Sequence, residues 1–136
     1  MGYNKKFGKG CDPNAWLTRD KDVVASYNDD PNSGFVFTLR AYRDLFTLVD
    51  TVSRRDWASR VPSSLPLLLI SGDMDPVGNY GKGVKTVYDR LVSAGVEDTS
   101  LKLYRDMRHE ILNEIDKETV WEDILKWINA KLPSAT

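Results

Sequence analysis

The chain has 136 residues, enough for one domain with its own buried core. With 41% hydrophobic and 29% charged residues it has a globular composition, and 19 basic against 20 acidic residues leave a formal charge of -1. That balance argues against a nucleic-acid partner, which needs a basic face or stripe, and leaves small neutral or amphiphilic substrates open.

No apolar run is long enough to cross a bilayer; the longest, Leu67 to Ile70, has the length of a strand. Near the start, Lys5, Lys6 and Lys9 lead into Gly10, Asp12 and Pro13 rather than into an apolar stretch, so no signal peptide is expected. Cys11 is the single cysteine and rules out an intrachain disulfide. The default location on these grounds is cytoplasmic.

The first fifteen residues, with Gly2, Gly8, Gly10 and Pro13, show no period and read as loop. A short helix is expected from about Asp20 to Tyr27, stopped by the turn-rich Asn28-Asp29-Asp30-Pro31-Asn32. Phe35-Val36-Phe37 has the character of an extended segment. Thr38 is placed to cap a longer helix through Val52, in which Leu39, Tyr42, Leu45, Phe46, Val49 and Val52 form one apolar face. Arg55 to Arg60 adds a short helical turn around Trp57.

Beyond Pro62 the pattern becomes regular. Leu65 to Ser71 is nearly continuous in apolar residues, as in a parallel strand covered on both faces. Gly81 to Ala94 sets Val84, Val87, Tyr88, Leu91 and Val92 on one helical face and stops at Gly95. In Ser100 to Tyr104, Leu101 and Leu103 alternate with Lys102, as in a half-buried strand near a sheet edge. Asp116 to Leu132 forms a last amphipathic helix, with Val120, Ile124, Trp127, Ile128 and Leu132 facing inward and Pro133 closing it. Strand, helix and strand in this order make a right-handed βαβ unit with parallel strands, and the last helix packs back on the sheet.

Two loops carry chemistry. Ser71-Gly72-Asp73-Met74-Asp75-Pro76-Val77-Gly78 and Arg108-His109-Glu110 each follow the C-terminal end of an expected strand, where sites form in open α/β sheets. Parallel neighbours bring those ends to one rim, roughly 4.8 Å apart. A buried carboxylate that accepts one imidazole N–H fixes the tautomer and frees the other nitrogen to take a proton from a hydroxyl. His109 is the only histidine, so any such base is this residue. Composition and spacing leave a second reading open: Gly-Asp-x-Asp-Pro is ordinary turn chemistry, and a lone loop histidine is commonly just solvated.

Family resemblance separates the two. Leu65 to Gly83, LPLLLISGDMDPVGNYGKG, resembles the acid-bearing loop of bacterial lysophospholipase-like and monoacylglycerol-lipase-like α/β-hydrolases, whose pattern puts the triad acid at Asp75. Tyr104 to Glu114, YRDMRHEILNE, resembles their histidine loop and puts the base at His109. The order acid, then histidine, is that of α/β-hydrolases. Upstream, Tyr3 to Phe7, Trp16 to Asp20 and Ser33 to Thr38 resemble pieces of the same family's helical cap. The resemblance thus implies a partial α/β-hydrolase fold: residues 1–62 a helical cap-like segment, residues 63–136 the C-terminal βαβα part of the core. It also implies an amphiphilic or acyl-ester substrate. Through it, Phe35, Phe37, Tyr42 and Phe46 become candidates for lining an acyl pocket, although ordinary helix packing is the simpler reading of each one.

The family's nucleophile, the serine of G-x-S-x-G ahead of the cap, has no counterpart here, since no G-x-S-x-G occurs. The chain is therefore expected to be the C-terminal portion of a serine ester hydrolase: a cloned fragment, a truncated product or one half of a split enzyme. It is expected to be inactive alone. The alternative is a non-catalytic module, oligomerising or ligand-binding, derived from a hydrolase. Either way the apolar strand is expected to lack a neighbour, and an open edge invites pairing into a homo-oligomer. No metal or cofactor is expected. His109-Glu110-Ile111-Leu112-Asn113 lacks the second histidine of H-E-x-x-H, and Asp73-x-Asp75-x-Val77-Gly78 fails as a calcium loop at Val77 and Val84. The glycines about Lys82 lack the Walker A spacing.

Overall fold

A computed structural model describes residues 2–54 and 56–132. Arg55 and Pro133, which enter the sequence expectations, lie outside the described residues. Short 3-10 turns at Tyr3–Lys6, Ala58–Arg60 and Ile111–Asn113 punctuate six longer elements. These are α1 (Lys21–Asp29), α2 (Leu39–Val52), β1 (Leu67–Gly72), α3 (Lys82–Ser93), β2 (Thr99–Tyr104) and α4 (Lys117–Lys131).

β1 and β2 pair in parallel from Leu67↔Thr99 to Gly72↔Tyr104. Pleating sends alternate side chains of β1 to opposite faces. Leu67 and Leu69 pack with Leu91, Val87, Val96, Trp57 and Ala58 on the α3 side. Ile70 packs with Tyr104, Met107, Ile111, Val120 and Ile124 on the α4 side. A helix on each face explains why β1 is apolar throughout rather than alternating.

The helix termini follow local chemistry. Asp20 caps α1 by accepting from the N–H groups of Asp22 and Val23, and Thr38 caps α2 by accepting from Ala41 N–H. α3 ends on Gly95, left-handed at φ +88, with Gly95 N–H bonded to Val92 O and Val96 N–H to Leu91 O.

Four expectations are corrected. Phe35–Phe37 forms no strand. Leu103 is exposed beside Lys102, its end resting on Gly81, and Tyr104 is the buried residue of β2. Val92 of α3 is exposed, as are Ile128 of α4 and Leu132 just past its end, because the small sheet is too narrow to cover their flank. α2 buries no residue; its apolar face is amphipathic in pattern, yet its residues stay largely exposed, with the ring of Phe37 against Tyr42.

Candidate active site

The rim is built by two loops leaving the C-terminal ends of β1 and β2. They stay tied beyond the sheet: Asp73 N–H donates to Tyr104 O (3.0 Å) and Met74 N–H to Met107 O (2.9 Å). Asp106 N–H donates to Asp73 Oδ1 (2.7 Å), with Asp106 held left-handed at φ +61. The loops approach so closely at Gly72 that a Cβ there would collide with the carbonyl oxygens of Met107 and Arg108. Glycine at this position is a requirement of contact, not of turn geometry.

Asp75 follows three residues later and is only 6% exposed. Its carboxylate accepts Val77 N–H (2.8 Å) on Oδ1 and Gly78 N–H (3.1 Å) on Oδ2, so the Pro76-Val77-Gly78 turn folds around it. Tyr80 N–H bonds back to Asp75 O (2.8 Å). Asn79, Tyr80 and Gly81 are then all left-handed, at φ +51, +55 and +80, and swing the chain into α3. For residues with a Cβ that conformation costs about 1–2 kcal/mol each. The Tyr80 ring faces Lys6, whose Nζ lies 3.5 Å from its centroid.

His109 reaches across the rim, and its Nδ1 stands 3.1 Å from Asp75 Oδ1. With a carboxylate as acceptor, this fits the tautomer carrying hydrogen on Nδ1. The side chain keeps 37% of its surface exposed. Trp16 covers one face of the imidazole, with ring centroids 5.1 Å apart at 45°, and Tyr3 supports Trp16 from behind at 5.0 Å. The arrangement leaves Nε2 as the nitrogen free to exchange a proton with a hydroxyl.

The two residues singled out in the sequence therefore meet. Gly72, Trp16, Thr18, Arg19, Arg108 and Glu114 fell within the motifs read from the sequence, but sequence reasoning gave none of them the role of holding these two residues. Segment 15–19, expected to belong to the cap, runs beside the histidine loop. Glu110 N–H donates to Leu17 O (2.7 Å), and the Thr18 hydroxyl donates to Asn113 O (3.1 Å). The Arg108 guanidinium donates to Thr18 O (3.2 Å) and to Ala15 O. Burial lowers the Arg108 pKa, while Arg19 ends above its ordinary value because its bonds to Glu114 and Asp116 outweigh the cost of burial. No local sequence signal marks this cluster, because Glu114 sits among polar residues such as Asn113, Asp116 and Lys117 and its partner Arg19 is 95 positions away.

Phe35, Phe37, Tyr42 and Phe46 form a row of ring contacts on the surface, with successive centroids 5.5, 5.5 and 6.1 Å apart. Each is exposed. Among the described residues no three His, Cys, Asp or Glu side chains are grouped to hold a metal ion, and no helix is long and apolar enough to cross a membrane.

The family described as serine aminopeptidase, S33, matches residues 5–116, spanning both loops and the segment that clasps them. The chain belongs to this family. A monoacylglycerol lipase of Mycolicibacterium smegmatis is 34% identical over 121 residues, which is 85% of this chain and 39% of the relative. Among solved structures, a thermostable carboxyl esterase from Bacillus coagulans in complex with glycerol superposes with a TM-score of 0.85 at 35% identity, covering 96% of this chain and 43% of that one. A lipase in an open form gives 0.84 at 28% identity, covering 95% and 42%. The S33 chain described here thus has a partial α/β-hydrolase fold and spans about two fifths of the length of these relatives.

Proposed function

We propose that this S33 chain supplies the acid and the base of a serine ester hydrolase, Asp75 as acid and His109 as base, to a nucleophile it does not carry. The observation behind this reading is the 3.1 Å contact between His109 Nδ1 and a buried Asp75 carboxylate already fixed by two backbone N–H groups. Asp75 orients the ring and balances the charge that forms on it. His109 Nε2 takes the proton from a serine hydroxyl as that oxygen attacks the ester carbonyl, then returns it to the leaving alcohol. An esterase, a lipase and a monoacylglycerol lipase among the relatives make an amphiphilic acyl ester the fitting substrate class.

Alone, the chain is expected to be inactive, because the sequence holds no G-x-S-x-G. The oxyanion-hole donors of this fold flank that serine or lie in an earlier loop. A single donor of that kind is worth about 2.7–4 kcal/mol. The test mixes this chain with the part of the M. smegmatis lipase that precedes its matched region, and follows short-chain ester hydrolysis and fluorophosphonate labelling. Both signals should appear in a complex and in neither part alone, and should vanish with His109→Ala. A stable complex that stays unlabelled would sink the proposal. Turnover by this chain alone, lost in His109→Ala, would overturn the expected inactivity. The exposed faces of α2 and α4 and an edge of β1 that is unpaired among the described residues support a further reading, a homo-oligomer that covers them.

A further inference from the structure

We propose that Glu114 is a positioning residue for His109, acting through Arg19 and the Arg108 backbone. The proposal deepens the reading of His109 as a base and rests on it for its catalytic meaning. Glu114 is completely buried, and a carboxylate taken out of water is strongly unfavourable unless its oxygens are fully engaged. Four donors engage them. Oε1 accepts Arg108 N–H (2.8 Å) and Arg19 N–H (3.2 Å); Oε2 accepts Arg19 Nε (2.9 Å) and Ile115 N–H (3.3 Å). Arg19 is itself steadied by Asp116 at 3.0 Å.

One carboxylate therefore joins the residue before His109 to the segment at Arg19, 95 positions ahead of Glu114. That upstream segment carries the wall of the site, because Trp16 O accepts His109 N–H (3.4 Å) and the Trp16 ring lies over the imidazole. Glu114 does not touch His109. It fixes the backbone on one side of the ring and the Trp16 wall on the other, leaving the Asp75 side as the place where Nδ1 settles. A helix cap or a surface ion pair would not need four donors and total burial.

Every group facing Glu114 is a donor, which makes Glu114→Gln a sharp probe. The amide keeps the shape, but its NH2 group must point at donors, so two of the four bonds are lost whichever way it turns. His109 being the only histidine, ring-nitrogen NMR of the intact chain reports a single imidazole. At a pH where the ring is neutral, the unaltered chain should show the Nδ1–H tautomer and a cross-peak between the imidazole and Trp16. Glu114→Gln should shift the ring nitrogens toward a tautomer mixture and lose that cross-peak.

Val120→Ala, in the core beneath, serves as a control that destabilises without altering the clasp. If Glu114→Gln does not fold, Arg19→Met, which removes the Nε donor of a partly buried side chain, should give the same shift to a smaller extent. A folded Glu114→Gln or Arg19→Met chain with an unchanged tautomer would overturn the proposal. So would the same shift in Val120→Ala. Because the readout is the imidazole and not ester turnover, this proposal can fail while the assignment of His109 as base stands.

Discussion

At the scale of single residues, spacing left Asp75 and His109 open as ordinary turn and loop residues, and only the family resemblance singled them out. The turn that cradles Asp75 is written in the next three residues, and the loop bearing His109 follows its strand directly. Gly72 was visible only as a turn glycine, since what demands it is the backbone of residues 107 and 108, more than thirty positions away. The demand is testable. Gly72→Ala places a methyl group against two carbonyl oxygens of backbone, which cannot swing aside as a side chain can. Overpacking of this kind costs about 1–3 kcal/mol. A urea titration should show a midpoint lowered accordingly, and the Met74 and Asp73 amides should exchange faster as the two loops part. An unchanged midpoint with unchanged exchange would mean that the loops are not held as described.

At the scale of elements, periodicity located all four long helices and both strands to within a few residues, because apolar spacing and caps such as Asp20, Thr38 and Gly95 are local signals. It was weaker on which face is covered, which depends on what packs above. The tie between β2 and α4 shows the same limit. Lys102 and Tyr104 of β2 both bond to Asp123 of α4, and neither link is periodic in the sequence. Burial of Tyr104, reinforced by its hydrogen bond to the Asp123 carboxylate, pushes the phenol from 10.0 up to about 12. A raised pKa in the folded state means that this group's contribution is complete below pH 10. It declines as pH rises from there through about 12, because the unfolded chain loses the proton first. Chemical denaturation across that alkaline range should therefore show a fall in stability that is shallower in Tyr104→Phe. Parallel slopes for the two chains would remove Tyr104 from the β2–α4 tie.

At the scale of the whole molecule, the apolar surface exceeds what a two-stranded sheet can cover. On α4, Val120 and Ile124 pack toward the sheet, while Trp121, Leu125 and Ile128, with Leu132 just past the helix end, spaced by four, three and four residues, form a second stripe left exposed. Fully burying such a side chain from full exposure gains about 1.5–3 kcal/mol, and these are already about half buried. The stripe therefore supplies only part of the roughly 8 kcal/mol that micromolar association requires, and acts together with the exposed face of α2. β1 adds an unpaired edge among the described residues. The chain should accordingly sediment as a dimer or larger species at micromolar concentration. Ile128→Lys places a charge at the centre of the stripe without touching the core, since Ile128 is already 42% exposed. If α4 is the contact, this change should weaken association at least about tenfold, equivalent to about 1.4 kcal/mol, and leave the thermal midpoint of the dissociated chain where it was. Unaltered association in Ile128→Lys, combined with dissociation when Phe46→Lys is made on α2, would move the interface to the cap-like helix. A monodisperse monomer before any substitution would exclude both faces and leave the exposed stripe as a surface that a different polypeptide covers.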